Sequence, residues 1–136
     1  MKEGGQGRRK ILIVDDEMDM RIFLTALFEM NGFATVATRD GKEGLARAKE
    51  LLPDLIVLDV MMPGEGGAVM YRALKTDAAL KEIPVIVLSG VTEVSFRHYL
   101  KIVNLGAGLD LPLPEVYMEK PPEPAHLLRT AETLLS

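Results

Sequence analysis

The chain has no cysteine and no tryptophan, and aromatic residues fill only 5% of its 136 positions. Without thiols there is no disulfide, no thiolate metal site and no cysteine nucleophile, and nothing points to an oxidising compartment. No apolar run approaches the ~18 residues that a membrane-spanning helix needs. The run Ile11 to Val14 is too short for a signal peptide and ends in acids. Basic charge is also in deficit. Sixteen Lys and Arg against twenty Asp and Glu leave a net charge of −4, which gives no reason to expect direct nucleic-acid binding. A cytoplasmic protein with no membrane contact is the expectation.

What the sequence does have is apolar mass. Hydrophobic residues make up 48% of it, enough for a sizeable core in a chain the size of one domain. Residues 1–9, charged and Gly-rich, read as a flexible lead-in, and residues 10–136 as one domain. Lys10-Ile11-Leu12-Ile13-Val14, Leu55-Ile56-Val57-Leu58 and Pro84-Val85-Ile86-Val87-Leu88 are continuous apolar runs rich in β-branched residues. Such runs suit strands of a parallel sheet covered on both faces. Val116 to Lys120 reads as a fourth buried strand, and Phe33 to Thr38 alternates in the manner of an edge strand.

Helical patterns lie between them. Met20, Phe23, Leu24, Leu27 and Phe28 form one apolar stripe, stopped by Asn31-Gly32. Asp40 can cap a second helix running through Leu52. A third spans about Ala68 to Lys75, and a fourth about Val94 to Leu105, ending at Gly106. A fifth runs from near Pro124, where proline suits a first turn, to Leu135. Strands alternating with helices imply an α/β, doubly wound, flavodoxin-like sheet of five parallel strands with five helices. An order of 2-1-3-4-5 would make strands one and three neighbours.

In an open parallel sheet, functional groups gather at the carboxyl ends of the strands. Asp15 and Asp16 follow strand one, Asp59 follows strand three, and strands four and five end in Ser89 and Lys120. Clustered carboxylates repel one another and are best tolerated around a cation. With hard oxygen ligands and no thiolate or nearby histidine, Mg²⁺ or Ca²⁺ is favoured over Zn²⁺. A carboxylate can also attack a phosphoryl group, giving an acyl phosphate.

Four pieces, in order and each at a predicted strand end, resemble the receiver domains of two-component response regulators, the CheY-like family. They are Ile-Leu-Ile-Val-Asp15-Asp16-Glu17, Leu-Ile-Val-Leu-Asp59-Val-Met-Met-Pro63, Val-Ile-Val-Leu-Ser89-Gly90 and Lys120-Pro121. The resemblance implies that Asp59 is the phosphoacceptor. It implies Mg²⁺ held by Asp15, Asp16, Asp59 and the main-chain carbonyl of Met61. Lys120 would contact the phosphoryl group, Ser89 would be the switch hydroxyl, and Tyr117 matches an aromatic rotamer switch. The Lys120–Pro121 bond is expected to be cis, and Gly67 matches the turn glycine before helix three. The implied partners are a histidine kinase or phosphotransfer protein, a downstream protein target on the helix 4–strand 5–helix 5 face, and in some cases a second copy of the chain. Enzymatic activity would be limited to the receiver's own phosphorylation and slow dephosphorylation.

The sequence departs from the family pattern in several places, among them Gly90, which stands where an alanine is common after the switch residue. Gly66 stands where an Asp is common, so that loop is expected to be mobile. Met61 and Val91 occupy positions that tune dephosphorylation in the family. Both are apolar, which predicts a slowly decaying phosphorylated form. The stretch Asn104 to Glu115 is longer than usual, with Leu109, Leu111 and Leu113 alternating with Asp110, Pro112 and Pro114. It reads either as an insertion folded back on the domain or as a partner-binding element. Ending at helix five, the sequence reads as a stand-alone receiver. The alternative is a pseudo-receiver, a binding module of the same fold that is never phosphorylated.

Overall fold

Four residues of β1 and all of β3 and β4 are buried, so both faces of the sheet must be covered. In the computed structural model, which describes residues 7–60 and 67–136, strand and helix alternate throughout. The elements are β1 (Lys10–Val14), α1 (Met18–Glu29), β2 (Ala34–Thr38), α2 (Gly41–Leu51), β3 (Leu55–Leu58), α3 (Gly67–Thr76), β4 (Val85–Ser89), α4 (Glu93–Ala107), β5 (Val116–Glu119) and α5 (Pro124–Leu134). All strands pair in parallel, in the order β2-β1-β3-β4-β5. This is the flavodoxin-like arrangement expected from the sequence.

Successive strand residues point to opposite faces, and both faces are apolar here. Leu12, Val14, Ile56, Leu58, Val85 and Val87 enter one core with Ala48 of α2, Met70, Tyr71 and Leu74 of α3, and Phe96 and Leu100 of α4. Ile11, Ile13, Leu55, Val57, Ile86 and Leu88 enter the other with Leu24 and Phe28 of α1 and Leu127 and Ala131 of α5. Each of the larger aliphatic and aromatic side chains among them contributes about 1.5–3 kcal/mol by leaving water. That is why these strands are continuous apolar runs.

Helix ends follow local chemistry. The Asp40 carboxylate accepts from the Glu43 N–H at 2.8 Å and caps α2. Thr92 does the same for α4 through the Ser95 N–H at 3.2 Å. Gly32, at φ 92°, turns the chain after α1. The expected stop of α4 at Gly106 is two residues early. The helix continues to Ala107 and is closed by Gly108 at φ 65°. Either glycine suits a helix end by composition, but only Gly108 takes the left-handed conformation for which glycine is favoured.

The long segment before β5 folds back on the domain. Leu111 is only 7% exposed and joins the core beneath α3 and α4. Asn104 brackets it, accepting from the Leu111 N–H at 2.9 Å and donating to the Leu111 carbonyl at 3.3 Å. The Tyr71 hydroxyl donates to the Pro112 carbonyl at 2.6 Å. Glu115 accepts from the Val85 N–H at 2.7 Å and lies 3.4 Å from the buried Lys75 ammonium. Leu109 packs against the same core, while Leu113 stays 45% exposed.

Candidate functional site

Because β1 and β3 are adjacent with Val14 beside Leu58, the next residue of each leaves the sheet at the same edge. Those residues are Asp15 and Asp59. The Asp59 N–H donates to the Val14 carbonyl at 2.9 Å, and the Asp15 N–H to the Thr38 carbonyl at 3.0 Å, so both backbones are fixed by one more rung of the ladder. Both residues are buried, Asp15 2% and Asp59 5% exposed. On the other side of β3, Ser89 lies opposite Glu119 in register. The Lys120 N–H donates to the Ser89 carbonyl at 2.8 Å, and the Lys120–Pro121 bond is cis.

The Lys120 side chain joins the two halves. Its Nζ lies 2.8 Å from Asp15 Oδ2, 3.0 Å from Asp59 Oδ2 and 2.6 Å from Glu17 Oε1. An ammonium has three hydrogens, and three carboxylates surround this one. Burial alone would push the Lys120 pKa down, but the hydrogen bonds to Asp15, Glu17 and Asp59 outweigh it and hold the pKa above the usual lysine range. Burial raises the Asp15 carboxyl above its ordinary value, against the opposing pull of Lys120 and the Glu17 N–H.

The donor set fits a small hard cation. Carboxylate oxygens of Asp15, Glu17 and Asp59 all lie within 4.8 Å of one another. Oxygen ligands on opposite sides of Mg²⁺ stand about 4 Å apart, so modest closure would suffice. His98 and His126 are exposed and belong to no such group. Asp16, expected as a ligand, is exposed and not a member of this group; the third acid near the other two is Glu17, whose carboxylate is engaged by Lys120. The Met61 carbonyl and Gly66 lie outside the described residues. Glu17 was not assigned a role from sequence. The available signal was that it is the third acid of Asp-Asp-Glu, but an acid just before a helix reads first as a cap.

The residues expected to switch are also near the pocket. Ser89 is fully buried, and its hydroxyl accepts from the Val91 N–H at 3.3 Å. Tyr117 is half-buried, donates its hydroxyl to the Val91 carbonyl, and sets its ring 5.3 Å from that of Phe96 in α4. Burial holds its phenol above the ordinary tyrosine pKa, with a nearby Ser89 hydrogen bond pulling the other way.

A parallel 2-1-3-4-5 sheet with an acid-and-lysine pocket at its carboxyl edge defines a class, and sequence comparison agrees. The model of the response regulator receiver domain family matches residues 11–130, and this chain belongs to that family. It is 32% identical over 121 residues to the DNA-binding response regulator MtrA of Mycobacterium tuberculosis, covering 89% of this chain and 48% of MtrA. It is 32% identical over 127 residues to the phosphate regulon transcriptional regulatory protein PhoB of Escherichia coli, covering 93% of this chain and 52% of PhoB. The chain thus spans about half the length of the curated relatives it matches. Among solved structures, the chemotaxis protein CheY4 of Vibrio cholerae superposes with a TM-score of 0.77 at 26% identity, covering 95% of this chain and all of CheY4. A Francisella response regulator receiver domain gives a TM-score of 0.74 at 30% identity, covering 94% of this chain and 97% of that one. Among the described residues no helix is long and apolar enough to cross a membrane.

Proposed function

We propose that this receiver is a cytoplasmic, phosphorylation-controlled switch that takes a phosphoryl group on Asp59 from a histidine kinase or phosphotransfer protein, with Mg²⁺. The observation that carries this reading is the single Lys120 ammonium held against both Asp15 and Asp59, at 2.8 and 3.0 Å. An Asp59 carboxylate oxygen attacks the phosphorus. The bond from phosphorus to the donor atom breaks, and its electron pair leaves with the donor. Asp15, Asp16, Asp59 and the Met61 carbonyl would hold Mg²⁺, which supplies positive charge for the phosphoryl oxygens. Lys120 turns one N–H from a carboxylate to a phosphoryl oxygen, and the Ser89 hydroxyl moves to another. Val91, two residues after Ser89, donates to its hydroxyl and carries the Tyr117 contact, so this movement reaches Phe96 and α4. The α4–β5–α5 face is then read by a downstream protein target or a second copy of the chain.

The test is intact-mass analysis after incubation with a small phosphodonor and Mg²⁺. A gain of one phosphoryl group, lost when the metal is chelated, is expected; no gain under any donor overturns the reading. A second expectation concerns decay. Val91 offers no polar group to position an attacking water, and neither does the Met61 side chain. After donor removal the phosphoryl mass is expected to persist for many minutes; decay within seconds would contradict this. A pseudo-receiver would use the long segment before β5 as its binding element, but Leu111 of that segment lies in the domain's own core.

A further inference from the structure

Glu17 stands where a helix normally takes its cap, yet its side chain does not cap α1. The Asp15 carboxylate accepts from the Glu17 N–H instead, at 2.9 Å. The Glu17 side chain reaches across 103 positions of sequence to Lys120 Nζ at 2.6 Å, the shortest of that ammonium's three carboxylate contacts. Its surroundings differ from those of the other two. The Asp15 and Asp59 side chains are 2% and 6% exposed, whereas that of Glu17 is 61% exposed. Two acceptors are therefore built into the pocket floor, and the third stands at its mouth.

We propose that Glu17 is a positioning residue for phosphoryl transfer, which holds Lys120 in the waiting state and biases the pocket against highly charged phosphodonors. The proposal rests on the reading of Asp59 as phosphoacceptor. The Lys120 hydrogen that must meet an incoming phosphoryl oxygen is already taken, and Glu17, the solvent-facing partner, is the one that can release it without stranding a buried carboxylate. A donor approaching Asp59 also passes a fixed negative charge, whose repulsion doubles when the donor carries two charges and fades with added salt.

The experiment compares wild type, Glu17→Gln and Glu17→Asp at saturating Mg²⁺, with acetyl phosphate, a dianion near neutral pH, and phosphoramidate, a monoanion there. With either, the bond from phosphorus to the leaving oxygen or nitrogen breaks, and acetate or ammonia departs with the electron pair. At low ionic strength Glu17→Gln is expected to speed transfer about fivefold from acetyl phosphate and about twofold from phosphoramidate, the difference shrinking in high salt. Glu17→Asp keeps the charge but falls short of Lys120. It is expected to preserve the wild-type ratio between donors while accelerating both. A second measurement needs no turnover. In wild type the Lys120 ammonium, shielded by three acceptors, is expected to give a slowly exchanging ¹H–¹⁵N signal that Glu17→Asp loses and Glu17→Gln, whose amide oxygen still accepts, keeps. An unchanged donor ratio in Glu17→Gln, or a Lys120 signal that survives in Glu17→Asp, overturns the proposal. If wild type takes a phosphoryl group from neither donor, it is the assignment of Asp59 that fails, and the ammonium signal still decides whether Glu17 holds Lys120.

Discussion

Asp59→Asn is expected to abolish the gain of phosphoryl mass and, without divalent cations, to make the protein more stable by about 1 kcal/mol. The first effect follows from chemistry, since an amide oxygen is too weak a nucleophile to carry the phosphoryl group. The second follows from charge balance. Three carboxylates, on Asp15, Glu17 and Asp59, share one ammonium, so the pocket carries an excess of two negative charges. The amide of the Asp59→Asn variant removes one of them and still offers Lys120 an acceptor. Asp15 shows the strain most directly, because burial, with the Asp59 charge adding to it, holds its carboxyl above the ordinary value of 3.8. A raised carboxyl pKa means that the folded state binds the proton more tightly than the unfolded chain. Its destabilising effect is absent at pH below the ordinary value and complete above the raised one. Burial is the larger cause and is untouched by Asp59→Asn, but the part due to the Asp59 charge is relieved. The gain is therefore expected in urea titrations at neutral pH and to shrink towards pH 4 as the carboxyls protonate. Lys120→Met is the converse. It leaves three carboxylates with no cation and is expected to cost about 2–4 kcal/mol, partly restored by millimolar Mg²⁺. If Asp59→Asn destabilises the fold, or Lys120→Met leaves it unchanged, the pocket is not electrostatically strained as described.

Much of this was legible in the sequence because parallel strands covered on both faces leave a plain signal. Ile11 to Val14, Leu55 to Leu58 and Val85 to Leu88 are apolar at every position, and with the order 2-1-3-4-5 the parallel register puts Asp15 beside Asp59. The role of Glu17 was not legible. Local rules assign an acid before a helix to capping, whereas its partner lies at the far end of the chain and is fixed only once β5 is in place. The insertion was ambiguous for a similar reason. Leu109, Leu111 and Leu113 alternate alike, and Leu111 is chosen for the core by Asn104 of α4, with Tyr71 of α3 holding the next residue. The end of α4 turned on a backbone angle that composition does not report: Gly106 and Gly108 look equivalent until one takes a positive φ.

Gly67→Ala is expected to damage both the fold and the phosphoacceptor in one step. The resemblance to receivers marked Gly67 only as a turn glycine, and the structure supplies a sharper reason. A Cβ on Gly67 would lie 1.8 Å from the Asp59 carbonyl oxygen and 2.7 Å from both the Asp59 carbonyl carbon and Val60 Cα. These are backbone atoms in a buried segment, so no side chain can swing aside. Either α3 lifts off its first turn or the end of β3 shifts, and the second displaces Asp59 from Asp15 and Lys120. Overpacking typically costs about 1–3 kcal/mol where side chains can adjust; with none able to, the cost is expected at about 3 kcal/mol or more, read as a lower urea midpoint. The phosphorylation rate of the remaining folded protein is expected to fall at least tenfold, since misplacement by about 1 Å can cost 10²-fold. Gly90→Ala is the matched control. It sits two positions from Leu88 at the same edge of the sheet, but a Cβ there meets nothing within 4 Å. It is expected to stay within about 0.5 kcal/mol of wild type. Equal stability for the two variants would show that α3 does not close on the Asp59 backbone as tightly as these distances require.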